Sequence, residues 1–165
     1  MTRRHDGLMP LTHDHHHALA HARRLRLAAV GEDASALVRH SQVFLDFFHD
    51  DTVNHFREEE EIVFPLAVED GRAKPLLAQA MMEHLQIHAL ASRLGIEITE
   101  SRVTPESATE LATALDAHIR FEEHKVFPLL EEVVADDQLS AVSLRLHARG
   151  NGPDGDATCH SFLWR

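Results

Sequence analysis

Apolar residues recur at spacings of three and four along four stretches of the chain, the signature of helices that hide one face. From Pro10 to about Ala29 the stripe is Leu11, His15, Ala18, Ala22, Leu25 and Ala29; Thr12 or Asp14 suits its start and Gly31 its end. Asp33 suits the cap of a second helix running to about Val63, with Leu37, Phe44, Phe48, His55, Glu59 and Ile62 on one face. Phe64-Pro65 should end or kink it, since proline lacks an N–H and crowds the preceding turn, and Glu69-Asp70-Gly71-Arg72 reads as the turn. A third helix is expected from about Lys74-Pro75 to Ile98 with the stripe Leu77, Met81, His84, His88, Ala91 and Gly95. Thr104-Pro105 opens a fourth, carrying Leu111, Leu115, His118, Glu122 and Leu129. A weaker helical segment covers Gln138 to His147, and strand alternation is not convincing anywhere. The pattern predicts an all-α fold: an antiparallel up-down-up-down four-helix bundle with a short extra C-terminal helix. One domain is expected over 1–149 and a flexible tail over 150–165, where Phe162-Leu163-Trp164 is expected to pack loosely.

The polar residues that interrupt these stripes carry the chemistry. His55-Phe-Arg-Glu-Glu59 precedes Val63-Phe64-Pro65-Leu66, and His118-Ile-Arg-Phe-Glu122 precedes Val126-Phe127-Pro128-Leu129 at the same distance. On a helix, residues four apart share a face, so each copy offers an imidazole and a carboxylate to one point. His84 and His88 repeat that spacing with two imidazoles. The run His13-Asp14-His15-His16-His17 leaves His15 and His16 both open as the inward residue, and His15 is favoured because it shares the stripe of Leu11 and Ala18. The candidate metal ligands are therefore His15, His55, Glu59, His84, His88, His118 and Glu122, with Glu123 as the alternative to Glu122. Nitrogen and oxygen donors without thiolate suit iron, manganese or zinc, and seven donors are more than one ion ordinarily takes. A single such pair would be an ordinary surface contact; the repeat on core-facing stripes is what points to metal. Glu58, Glu60, Glu61 and Glu123 read as surface charges or partners of ligating histidines.

Composition narrows the setting. A formal net charge of −11 argues against non-specific nucleic-acid binding. The single Cys159 excludes an internal disulfide and cysteine-based metal sites, and suggests a reducing, cytoplasmic compartment. Neither a signal-peptide pattern nor a run of about 18 apolar residues is present, so neither secretion nor membrane insertion is expected.

The ordered set Asp14-His15, His55/Glu59, Glu83-His84 and His118/Glu122, with Phe-Pro following twice, resembles the hemerythrin-like, HHE cation-binding proteins over about residues 8–135. The resemblance implies a four-helix bundle around a non-haem di-iron centre with five histidines, two bridging carboxylates and an oxo or hydroxo bridge. It implies binding of O2, or of NO, for sensing, storage or delivery. The competing readings are a di-iron redox enzyme or an iron-donating repair protein for oxidative or nitrosative stress, and a structural zinc or iron bundle. His88 matches the oxygen-binding hemerythrins. Those proteins place an Asp five residues after the last histidine, whereas here Glu122 stands at four and Glu123 at five.

Overall fold

The computed structural model describes residues 4–31 and 33–150, and every regular element among them is helical. α1 spans Met9–Val30, and its buried residues are the expected Leu11, His15, Ala18, Ala22, Leu25 and Ala29. The start differs from expectation: Leu8, not Thr12 or Asp14, is the N-cap. The chain already turns before it, with Leu8 N–H donating to the His5 carbonyl at 2.9 Å.

α2, Ala34–Phe47, is capped by Asp33, whose carboxylate accepts from the N–H groups of Ser35 and Ala36. The rod then passes through a π-helical turn at Phe48–Thr52, α3 at Val53–Glu58, a second π turn at Glu59–Val63 and a 3-10 turn at Phe64–Leu66. Asp70 then accepts from the N–H groups of Arg72 and Ala73 at 2.7 and 3.1 Å, which starts α4 at Ala73–Thr99.

The stripe on α4 differs from expectation. Leu77, Ala80, His84, Ile87, Ala91 and Leu94 are buried, while Met81 is 40% exposed and His88 is half-buried. Both series share Leu77, His84 and Ala91, but a step of three turns about 60° one way and a step of four about 40° the other. The neighbouring helices cover the first side.

α5, Pro105–Phe121, begins at Thr104, whose hydroxyl accepts from Ser107 N–H at 3.2 Å. A third π turn, Glu122–Val126, leads into α6, Phe127–Val133. Leu129, expected on the stripe, is half-buried and Leu130 is buried instead. The extra residue of a π turn advances the face by one position. α7, Asp136–Gly150, is longer than expected and buries Leu139, Val142 and Leu146. The tail beyond it, with Cys159 and Phe162-Leu163-Trp164, lies outside the described residues.

α1 packs against α2 and α5, and α4 against the same two. The apolar interior falls into two clusters: one includes Ala18, Phe56, Ile87, Leu115 and Ile119, the other Leu11, Ile62, Ala80, Val126 and Phe127. On each rod the inward polar residues stand between a member of one cluster and a member of the other. A polar belt is thereby enclosed at both ends by apolar packing.

Candidate metal centre

Six of the seven candidate ligands meet in that belt. His15, His55, Glu59 and Glu122 form one donor group and Glu59, His84, His118 and Glu122 a second, with the donor atoms of each within 4.8 Å of one another. All six side chains are at most 7% exposed, and both carboxylates are at 0%. Glu59 Oε1 faces His55 Nε2 at 3.3 Å while its Oε2 faces His84 Nε2 at 3.4 Å. Glu122 Oε2 lies 3.2 Å from the Nε2 atoms of both His15 and His118, and Oε1 lies 3.8 Å from that of His84. The two carboxylates thus belong to both groups.

The donor set fits divalent cations. None of the four carboxylate oxygens accepts a hydrogen bond of good geometry, although each is buried. Nε2 of His55 faces Nε2 of His15 at 3.0 Å, and Nε2 of His84 faces that of His118 at 3.1 Å. Two nitrogens held at about 2.1 Å from one ion and at right angles to each other are about 3.0 Å apart. Convergent lone pairs without donors, at a spacing suited to shared coordination, are what a cation relieves.

Three of the four imidazoles are hydrogen-bonded from behind, and the fourth has a carboxylate near it without a hydrogen bond. His15 Nδ1 bonds Glu123 at 2.7 Å, His84 Nδ1 bonds Glu60 at 2.7 Å and His118 Nδ1 bonds Glu83 at 2.9 Å; His55 Nδ1 lies 3.5 Å from Asp14. A carboxylate on Nδ1–H fixes the tautomer that offers Nε2 inward. The order closes on itself. Asp14 beside His15 faces His55 without bonding it, while Glu60 beside Glu59 bonds His84, Glu83 beside His84 bonds His118, and Glu123 beside Glu122 bonds His15. Sequence reasoning named Glu60 as a general partner, Glu123 as either a partner or the alternative ligand to Glu122, and gave Asp14 and Glu83 no such role. The available signal was that each is the chain neighbour of a ligand.

Without a cation the cluster is held by protons. Burial opposes charge on His84, but Glu122 and Glu59 overcome it and raise its pKa to about 10; the same balance raises His118 to about 9. His15 and His55 are raised in the same way. Burial would raise Glu122, but His118, His15 and His84 hold it well below the ordinary carboxylate range. Burial works against Glu123 too, yet His15 and Arg4 bring it to about 2.

The remaining candidates lie outside the two groups. His88 sets its ring edge-on to Phe48 at 5.4 Å and Phe56 at 5.7 Å, and His16 is exposed. Glu123 stands behind His15. The two groups also differ in access. A cavity of about 380 Å³ is lined by His15 and His55 together with Asp14, His17, His21 and Asp51. In the other group Phe56 stacks on His84 at 3.8 Å, and a groove between α4 and α5 reaches His118 alone among the six.

An all-helical core in which two buried donor groups share a pair of carboxylates defines a class of cation-binding proteins. The family model described as the hemerythrin HHE cation binding domain matches residues 6–130, and the chain belongs to that family. No curated protein and no solved structure matches it. No described helix is long and apolar enough to cross a membrane.

Proposed function

We propose that the chain holds two iron ions, one in each donor group, and binds O2 or NO on the His15/His55 side, for sensing, storage or delivery. The observation that carries this reading is the asymmetry of access: the 380 Å³ cavity touches His15 and His55 and none of the other four donors. His15, His55, His84 and His118 would each give Nε2, and Glu59 and Glu122 would bridge. Ferrous iron, when bound, supplies an electron-rich ion with a coordination position open to a small molecule. Phe47, Phe56, Leu115 and Ile119 give the cavity its apolar wall, and the carboxylates bonded behind His15, His84 and His118 hold those ring planes.

The scaffold in this reading is an antiparallel up-down-up-down four-helix bundle over a domain of 1–149. Its support is that the order of the two apolar clusters reverses from each rod to the next. α1 runs Leu11, His15, Ala18; the second rod runs Phe56, Glu59, Ile62; α4 runs Ala80, His84, Ile87; and α5 runs Leu115, His118, Glu122 towards Val126.

A second reading, redox turnover, is favoured by the cavity mouth. Burial together with Asp50 and Asp14 raises the Asp51 carboxyl, so it holds a proton to higher pH than an ordinary carboxylate. Burial and Arg24 lower His21, which lies flat on Phe47 at 4.0 Å. Asp51 could hand a proton to a molecule being reduced, with His21 beside it as a neutral acceptor in the relay.

The deciding experiment measures the metal content and optical spectrum of anaerobically prepared, reduced protein before and after air. Two irons per chain and a new band that disappears when O2 is removed support reversible binding. Two irons that oxidise without a reversible adduct move the function to redox or iron-handling chemistry, and uptake of no iron defeats the di-iron reading.

A further inference from the structure

The N-terminal strap, residues 4–8, crosses the chain at the His15 side. Arg4 reaches Glu123 twice, donating to its Oε2 at 2.7 Å and to its backbone carbonyl at 2.9 Å, and it donates to Glu131 Oε1 at 3.2 Å. The other oxygen of Glu123 bonds His15 Nδ1 at 2.7 Å and accepts from the Thr12 hydroxyl at 2.9 Å. A second path reaches the same histidine. The Arg4 guanidinium lies 5.2 Å from the centre of the Phe127 ring, which in turn stacks on His15 at 5.4 Å.

The strap itself is tightly seated. His5 N–H donates to Glu131 at 2.8 Å, Gly7 N–H donates to His5 Nδ1 at 3.0 Å, and Leu8 is fully buried. A side chain at Gly7 would put its Cβ 1.9 Å from the Leu139 carbonyl oxygen of α7, so only glycine allows this approach. Among the described residues, of the four carboxylates behind the imidazoles, Glu123 is the one held by an arginine. Glu83 has Gln79 besides His118, and Glu60 and Asp14 show no cationic partner other than their histidines.

We infer that Arg4 is a positioning residue for one half of the metal centre, fixing Glu123 and Phe127 so that His15 keeps Nε2 directed at the ion it shares with His55. One guanidinium nitrogen, Nη2, donates to both the carboxylate and the backbone carbonyl of Glu123 while Nη1 reaches Glu131, a spread over two fixed nitrogens that the single nitrogen of an ammonium lacks. Loss of the carboxylate behind a ligating histidine costs about 10–100-fold in metal affinity, and loss of Arg4, which leaves Glu123 in place on Thr12, should fall at the lower end of that range. Here that loss should fall on one ion and spare the other. The inference rests on the two-ion reading above.

The test loads the full chain with cobalt(II), follows its absorption bands, and times release to a chromophoric chelator for wild type, R4A, R4K and G7V. R4A is expected to release one ion per chain about tenfold faster or more and leave the second unchanged, with R4K between R4A and wild type. G7V, which lifts the strap without touching Arg4 or a ligand, should show the same one-ion loss. In an H15A background, R4A should change nothing further. Equal acceleration of both ions, or wild-type release in R4A, overturns the inference while leaving the two-ion reading intact. A wild-type chain that takes up fewer than two ions overturns both.

Discussion

The two donor groups share their carboxylates yet are finished differently. The His15/His55 half borders a cavity and is clamped from behind by Arg4 and Thr12 through Glu123. The His84/His118 half is covered by Phe56 on His84, with Glu60 and Glu83 behind its rings. One half has both its histidines on a cavity and one of them stiffened from outside, while in the other a groove reaches His118 and His84 is covered. In the proposed function, this difference would give exchange with small molecules to one side and anchorage to the other.

The most damaging change to this division is the loss of a shared carboxylate. E122A should lower metal content from two ions to less than one per chain in elemental analysis, because its oxygens face His15, His84 and His118. Separating the halves comes next. H55A and H84A should each retain about one ion, and only H55A should abolish the spectral response to O2 or NO; equal responses in both variants would remove the proposed division of labour.

The metal-free chain should show the protonic balance directly. With folded values of about 10 for His84 and about 9 for His118 against 6.5 unfolded, the native state holds more protons than the unfolded chain between those limits. Its thermal midpoint should therefore fall as pH rises from about 6.5 to 10, and cation uptake at neutral pH should release protons. A midpoint that climbs over that range contradicts the assignment. Smaller still, E60Q should weaken the enclosed ion by about 10-fold or more with little effect on the other, read by chelator competition. H88A should be the mildest, keeping two ions per chain and costing about 1 kcal/mol from its edge contacts with Phe48 and Phe56.

Much of this was legible in the residues. The α1 stripe and the Asp33 and Thr104 caps follow from spacing and from side chains that accept N–H bonds, and both are in place. Periodicity could not choose between the series through Ala80 and Ile87 and the series through Met81 and His88, because both fit a helix equally well. That choice belongs to the packing of neighbours, and it is what leaves His88 beside the site. The π turns left no mark on periodicity, so Leu129 was expected where Leu130 is buried. Arg4 had no signal at all, since its contacts with Glu123 and Glu131 span more than a hundred residues. The doublets Asp14-His15, Glu59-Glu60, Glu83-His84 and Glu122-Glu123 were visible, but that each outer carboxylate serves a different helix is a fact of three dimensions.

The π turns that begin at Glu59 and Glu122 also set the spacing of the motif along the chain. In each copy the turn closes with the N–H of Phe64 or Phe127 on the carbonyl of Glu59 or Glu122, and proline follows at once. A homologue with an uninterrupted α-helix there would reach the same core with one residue fewer. Aligning it with this chain would open a single-residue gap between the glutamate and the Phe-Pro pair. The two motifs carry turns of equal length, so each glutamate stands the same number of residues before its Phe-Pro pair.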